Sequence, residues 1–278
     1  MNQVVIANFY QFVTLPNYQE LKDPLLEFCN ANELKGTILL AYEGVNCTVS
    51  GSREAVDRLY VYLRDTLNIE NYLLKENFAE FHPFLRMKVR LKNEIVAMGT
   101  PGIDVDHYRG EYITPANWDE FIARDDVILV DTRNNYEVSL GSFDGAIDPD
   151  TITFREFPAW VDEHLSDKEK KIAMFCTGGV RCEKASTYMK LAGFEHVYHL
   201  QGGILQYLED TKNQGGKWHG NCFVFDDRIA VDDCLAHADV GICRKCSKPV
   251  TSDDLKYLAG AKIDECADCN PEEVVAFK

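Results

Sequence analysis

The chain lacks any apolar run of about 18 residues, so a membrane-spanning helix is not expected. It has no Lys or Arg before Lys22, which removes the charged start of a secretory signal. Both absences point to the cytoplasm. Positive charge is scarce as well: 29 Lys and Arg stand against 45 Asp and Glu, a net charge of −16, which excludes non-specific binding to polyanions. No G-x-G-x-x-G follows a strand pattern, so there is no dinucleotide fingerprint. His196 and His199 in "HVYH" fall on opposite faces of a strand and cannot share a metal. Neither an iron nor a flavin site is evident, and internal repeats and low-complexity tracts are absent.

What the chain does have is cysteine, ten in all. Without a secretion signal, metal ligation and thiol chemistry are better readings than a disulfide framework. The acidity is uneven: net −2 over residues 1–100, −9 over 101–225 and −5 over 226–278. The N-terminal third is therefore the surface least hostile to a polyanion.

Length suggests about two domains. Residues 1–98 read as β-α-β-β-α-β, the order of a ferredoxin-like α+β domain, with Pro24 interrupting the first helix, Ser52 capping the second and "RMKVRLK" as last strand. Residues 99–113, rich in Gly and Pro, read as a linker. Over 114–222, helices alternate with continuous apolar strands, among them "DVILVDTR" and "KKIAMFC", after a first helix capped by Thr114. That pattern predicts an α/β domain whose parallel sheet is covered by helices on both faces. Residues 223–278 form a C-terminal extension.

Cys176 falls at the carboxyl end of an apolar strand, where open parallel sheets place their sites. The segment "CTGGVRC" then supplies what a thiolate needs. Gly178 and Gly179 allow positive φ, so the amides of Thr177, Gly178, Gly179 and Val180 can turn inward as an anion cradle. The following helix brings its positive end, and Arg181 a fixed cation. A buried, inert cysteine is the bland alternative; the strand end, glycine pair and arginine acting together outweigh it. Phosphatase chemistry is disfavoured, since its loop is C-x5-R and here only four residues separate Cys176 from Arg181. A tighter loop suits one extra sulfur atom. Cys182 can resolve an oxidised Cys176 or simply pack beneath the loop.

"ILVDTRNNYEVSLGSFDGAID", "MFCTGGVRCEKASTYMKLAGF" and "VYHLQGGILQYL" resemble the successive segments of a rhodanese domain. The resemblance implies a persulfide-carrying Cys176, with Asp131, Arg133 and Glu137 as scaffold. With "EGVNCTVSG" and "MKVRLKNEIVAMG" before it and "CFVFDDRIAV" after it, the chain resembles the rhodanese-domain tRNA uridine-34 5-hydroxylase family. That resemblance implies an oxidoreductase that converts the wobble uridine of tRNA to 5-hydroxyuridine, with dioxygen as co-substrate and an anticodon loop as partner. Cys176, Arg181 and Cys182 are then the catalytic candidates. The electron donor, a sulfur or electron donor protein, the tRNAs chosen and the oligomeric state are not legible. Cys47 stands where the family is expected to carry glycine, which touches the local turn. The alternative function is a plain sulfurtransferase carrying a persulfide on Cys176.

Two further patterns stand out. Cys243, Cys246, Cys266 and Cys269 form C-x2-C, nineteen residues, C-x2-C, the spacing of a closed, structural zinc site rather than of paired redox motifs. Arg86, Lys88, Arg90 and Lys92 share one face of a strand at about 7 Å intervals. A solvated face and a track for a phosphate backbone are equal readings of that row.

Overall fold

The computed structural model describes residues 3–70, 74–212, 214, 216–243, 245, 246, 248–251, 266 and 269. The N-terminal domain runs β1 (Val4–Phe12), α1 (Lys22–Ala31), β2 (Lys35–Ala41), β3 (Gly44–Gly51), α2 (Arg53–Leu67), β4 (Lys75–Ala79) and β5 (Met87–Leu91). Its sheet order is β4-β1-β3-β2-β5. The first four are mutually antiparallel, and β5 adds in parallel beside β2. Alternation explains the sheet. Val5, Ala7 and Phe9, with Ile38, Leu40, Val45 and Val49, meet the helices in one buried core. Helix α2 presents Ala55, Val56, Leu59, Leu63 and Leu67 to that core, and Ser52 caps it by accepting the Ala55 N–H at 3.2 Å.

Three expectations change here. The strand that closes the ferredoxin-like order is β4, "KENFA", while the strand within "RMKVRLK" is a fifth, edge strand. Pro24 sits in the first turn of α1, where its missing N–H costs nothing, and does not interrupt it. Cys47 lies inside β3, fully buried, with no turn to disturb.

The passage expected to be a linker is structured. It holds the short helix α3 (Val105–Tyr108) and β6 (Glu111–Ile113), and β6 pairs in parallel with a strand of the following sheet. Next come α4 (Pro115–Ile122), β7 (Val127–Asp131), α5 (Asn135–Val138), β8 (Gly141–Phe143), α6 (Phe157–His164), β9 (Lys171–Phe175), α7 (Val180–Leu191), β10 (Val197–Leu200) and α8 (Gly203–Asp210). Thr114 stands at the start of α4 but its side chain makes no cap bond. The sheet order is β6-β10-β9-β7, all parallel. Successive residues of β9 feed two cores: Ile172 and Met174 pack with α6 and α7, Ala173 and Phe175 with α4 and α8. Both faces are thus covered, as expected.

Short antiparallel pairs complete the described chain. β11 (Trp218–Gly220) joins β8, β12 (Cys222–Phe223) joins β13 (Ala230–Val231), and β14 (Val240–Ile242) joins β15 (Pro249–Thr251). Among the described residues no helix is long and apolar enough to cross a membrane.

Candidate active site

Cys176 follows the last residue of β9, and the loop Thr177, Gly178, Gly179 leads into α7 at Val180. Its Sγ accepts the Gly179 N–H at 3.1 Å. Gly179 has φ +97°, and a Cβ there would lie 2.9 Å from the Tyr10 hydroxyl, so the position requires glycine. The loop is clipped from below by the start of α8. The Ile204 N–H donates to Cys176 O at 3.0 Å and the Leu205 N–H to Thr177 O at 3.1 Å. Gly203 lies so close that a Cβ would come within 2.5 Å of Cys176 O.

Arg181 donates two bonds to the Glu137 carboxylate, at 2.6 and 2.7 Å, with both side chains buried. Burial pushes the Glu137 carboxyl up, but the Arg181 charge and hydrogen bonds hold it below its usual range. Thr177 Oγ1 also donates to Glu137, at 3.3 Å. The scaffold beneath repeats the device: Arg133 pairs with Asp131 at 2.6 Å, both fully buried.

Cys182 is fully buried beneath the loop, 3.5 Å from Thr132 Oγ1. Burial raises its thiol well above the usual range, and the neighbouring sulfur of Cys176 adds to that. Burial pushes Cys176 up too. There the Cys182 hydrogen bond, the Arg181 charge and the amides of Cys182 and Arg181 win, lowering it to about 5. Cys176 is the thiolate of the pair and Cys182 the thiol that donates to it.

The N-terminal domain closes the site from above. A cleft of about 550 Å³ opens on Cys176, Thr177, Gly178, Val180 and Arg181, and its opposite wall is the sheet face carrying Asn8, Tyr10, Thr37, Asn46 and Thr48. Tyr10 Oη donates to Glu183 Oε1 at 2.8 Å, and Tyr112 Oη joins the same oxygen at 2.7 Å. Lys75 Nζ donates to Gly178 O at 2.8 Å. Lys184 bridges Glu43 at 2.8 Å and Glu94 at 2.7 Å. Sequence reasoning missed Tyr10, Lys75 and Glu183. Only Tyr10 left a signal, since alternation in "VVIANFYQFV" puts it with Ile6 and Asn8 on the face away from Phe9.

The basic row belongs to that same sheet face. Lys88 stands opposite Thr37, Thr37 opposite Thr48, and Thr48 opposite Asn8; Arg90 ends the next row, after Leu39, Asn46 and Tyr10. At about 4.8 Å per strand, Lys88 lies about 14 Å from Asn8. Arg86 and Lys92 flank β5 just outside its ends. Among the described residues none of the four forms an ion pair.

The four tail cysteines converge. Their sulfur atoms all lie within 4.8 Å of one another, with Cys246 to Cys266 at 3.6 Å and Cys243 to Cys269 at 4.0 Å. Zinc–sulfur bonds of about 2.3 Å at tetrahedral angles give edges of about 3.8 Å. The donor set and its spacing fit a metal of that kind.

A cysteine cradled by inward amides at a strand end, on a parallel sheet covered on both sides, defines a rhodanese-like protein with an added N-terminal domain. The family descriptions agree: residues 114–210 match the rhodanese-like domain, and residues 4–95 the UPF0176 acylphosphatase-like domain. Similarity extends along nearly the whole chain. It is 52% identical over 265 residues to the tRNA uridine(34) hydroxylase of Wolbachia pipientis subsp. Culex pipiens (strain wPip), covering 95% of this chain and 94% of that protein. Against the protein of the same name from Wolbachia sp. subsp. Brugia malayi (strain TRS), identity is 50%, covering 96% of this chain and 98% of that one. The chain belongs to the tRNA uridine(34) hydroxylase family.

Proposed function

We propose that this protein is an oxidoreductase that converts the wobble uridine of tRNA to 5-hydroxyuridine, with Cys176 as its reactive group. The observation that carries the reading is the cleft shared by the two domains, with a stabilised thiolate on one wall and a polar sheet face on the other. Its size suits a nucleoside. The rows that run from Asn8 and Tyr10 to Lys88 and Arg90 lead outward from the thiolate, and Arg86 and Lys92 extend the basic edge. These four cations would hold the phosphates of an anticodon loop while its base enters the cleft.

The cysteine supplies the activation. Addition of Cys176 Sγ to C6 of the uracil ring pushes electron density to C5, which then takes an oxygen atom. Dioxygen, with two electrons and two protons from a donor outside this chain, supplies that oxygen and leaves the other as water. Loss of the C5 proton and expulsion of the thiolate restore the aromatic ring. Gly179 N–H and Arg181 support the sulfur as it leaves, and Cys182 stays protonated beside it. The four tail cysteines would hold a structural zinc, since four thiolates leave no position for substrate. Cytoplasmic placement follows from such a substrate.

The test is nucleoside mass spectrometry on tRNA from cells lacking the protein, complemented with wild type or Cys176→Ala. Wobble 5-hydroxyuridine restored by wild type alone supports the proposal. Unchanged nucleosides in all three strains overturn it and leave sulfur transfer by a Cys176 persulfide.

A further inference from the structure

Lys75 belongs to β4 of the N-terminal domain, yet its ammonium rests on the sulfur loop of the other domain. The carbonyl it holds, Gly178 O at 2.8 Å, is one end of a peptide unit. The other end of that unit is the Gly179 N–H, which donates to Cys176 Sγ at 3.1 Å. In a planar trans peptide these two groups point in opposite directions. A cation on the oxygen therefore aims the N–H at the sulfur and polarises it toward the sulfur.

Arg181 shares its charge between Glu137, to which it donates two bonds, and the sulfur. Lys75 is only 8% exposed, and among the described residues it forms no ion pair; the negative charges that act on it are Cys176 first and Glu183 second. A buried ammonium needs such counter-charge. Gly202, at φ +75°, borders it: a Cβ there would meet Gln206 Cβ at 2.5 Å and Lys75 Cε at 3.3 Å.

We propose that Lys75 is a positioning residue for Cys176. It fixes the Gly178–Gly179 peptide with its N–H on the sulfur and supplies the counter-charge that a thiolate or persulfide there requires. The reactive loop is then completed only by the N-terminal domain. This stands on the cysteine site alone and holds whether the sulfur acts on RNA or is itself transferred.

The groups that also act on the sulfur are Arg181 and Cys182 of α7, Tyr10 of β1 and Cys222 of β12, with Glu137 of α5 bound to Arg181; Glu183 of α7 acts on Lys75 and is bonded by Tyr10 and Tyr112. None of them changes in the experiment. The full-length protein is alkylated with iodoacetamide across pH, and the Cys176 peptide is read by mass spectrometry, with Cys176→Ser as blank. In Lys75→Met the midpoint should rise by about 1 pH unit. Lys75→Arg, which keeps the charge, should hold it near the wild-type value. Thermal unfolding verifies the fold of each variant, and Lys75→Gln replaces the methionine variant if that one does not fold. A wild-type midpoint in the uncharged variant overturns the proposal, as does an equal rise in Lys75→Arg.

Discussion

Two cysteine regions of this molecule use one residue type to opposite ends. At Cys176 a single sulfur is surrounded by donors and sits on a loop whose carbonyls are bonded from below. In the tail four sulfurs face one another within 4.8 Å, and Cys243 Sγ also accepts the Cys266 N–H at 3.2 Å. The first arrangement stabilises one negative charge and leaves it open to a cleft. The second gathers thiols at the spacing of a closed coordination shell. Two other cysteines mark the baseline: burial alone pushes Cys29 up to about 12, and burial, with the carboxylates of Glu137 and Asp131 opposing Arg133, pushes Cys222 to about the same value. What separates the three outcomes is the surroundings of the sulfur.

The contrast can be broken first at Glu137. Glu137→Gln removes the partner of a buried guanidinium, a change that costs about 3–5 kcal/mol in comparable pairs. The melting temperature should fall by several degrees, and modification activity should be lost along with the loop geometry. A variant with wild-type melting would show that Arg181 carries its charge without Glu137. Zinc separates the two regions next. Metal analysis should find one zinc per chain, lost in Cys246→Ser, while the alkylation rate of Cys176 stays at its wild-type value. A changed Cys176 rate would join what the comparison keeps apart. The smallest change to the fold is Cys182→Ala, which removes the main donor to the sulfur and should raise the Cys176 midpoint by about one pH unit or more. The sign follows from the depressed thiol. Between its folded value of about 5 and its usual 9, the folded protein holds a thiolate that the unfolded chain does not, so the stability it contributes is full above about 9, declines as pH falls and is gone below about 5, where the thiolate's reactivity is lost too. Losing a donor moves that loss to higher pH.

The sulfur loop was legible because its parts are contiguous. Strand, cysteine, glycines, arginine and helix lie within "MFCTGGVRCEKA", and each local preference agrees with the next. The tail was legible for the same reason, through spacing. Lys75 was not, because it reaches Gly178 across 103 positions of sequence and no local pattern marks it. Polarity hid β4 also. "KENFA" has almost no alternation, whereas "RMKVRLK" alternates without a break and took its place in the expected order. The linker was misjudged because β6 is only three residues long and acquires its partner from β10, far along the chain. Arg181 is read from the sequence as a fixed cation beside the thiolate; Glu137, read as scaffold alone, is the partner that takes its two side-chain hydrogen bonds.

Gly203 carries a consequence for descent. With φ +68° and the carbonyls of Cys176 and Thr177 pressed against it, this position admits no side chain, although it lies a whole helix and strand beyond the cysteine. A diverging lineage can vary the exposed end of α7, where Leu191 is half open to solvent, and it cannot place a Cβ at 203 while keeping the loop in shape. A descendant that keeps "CTGGVR" but has lost this glycine would be a relic, its cysteine preserved by inheritance and its chemistry already abandoned.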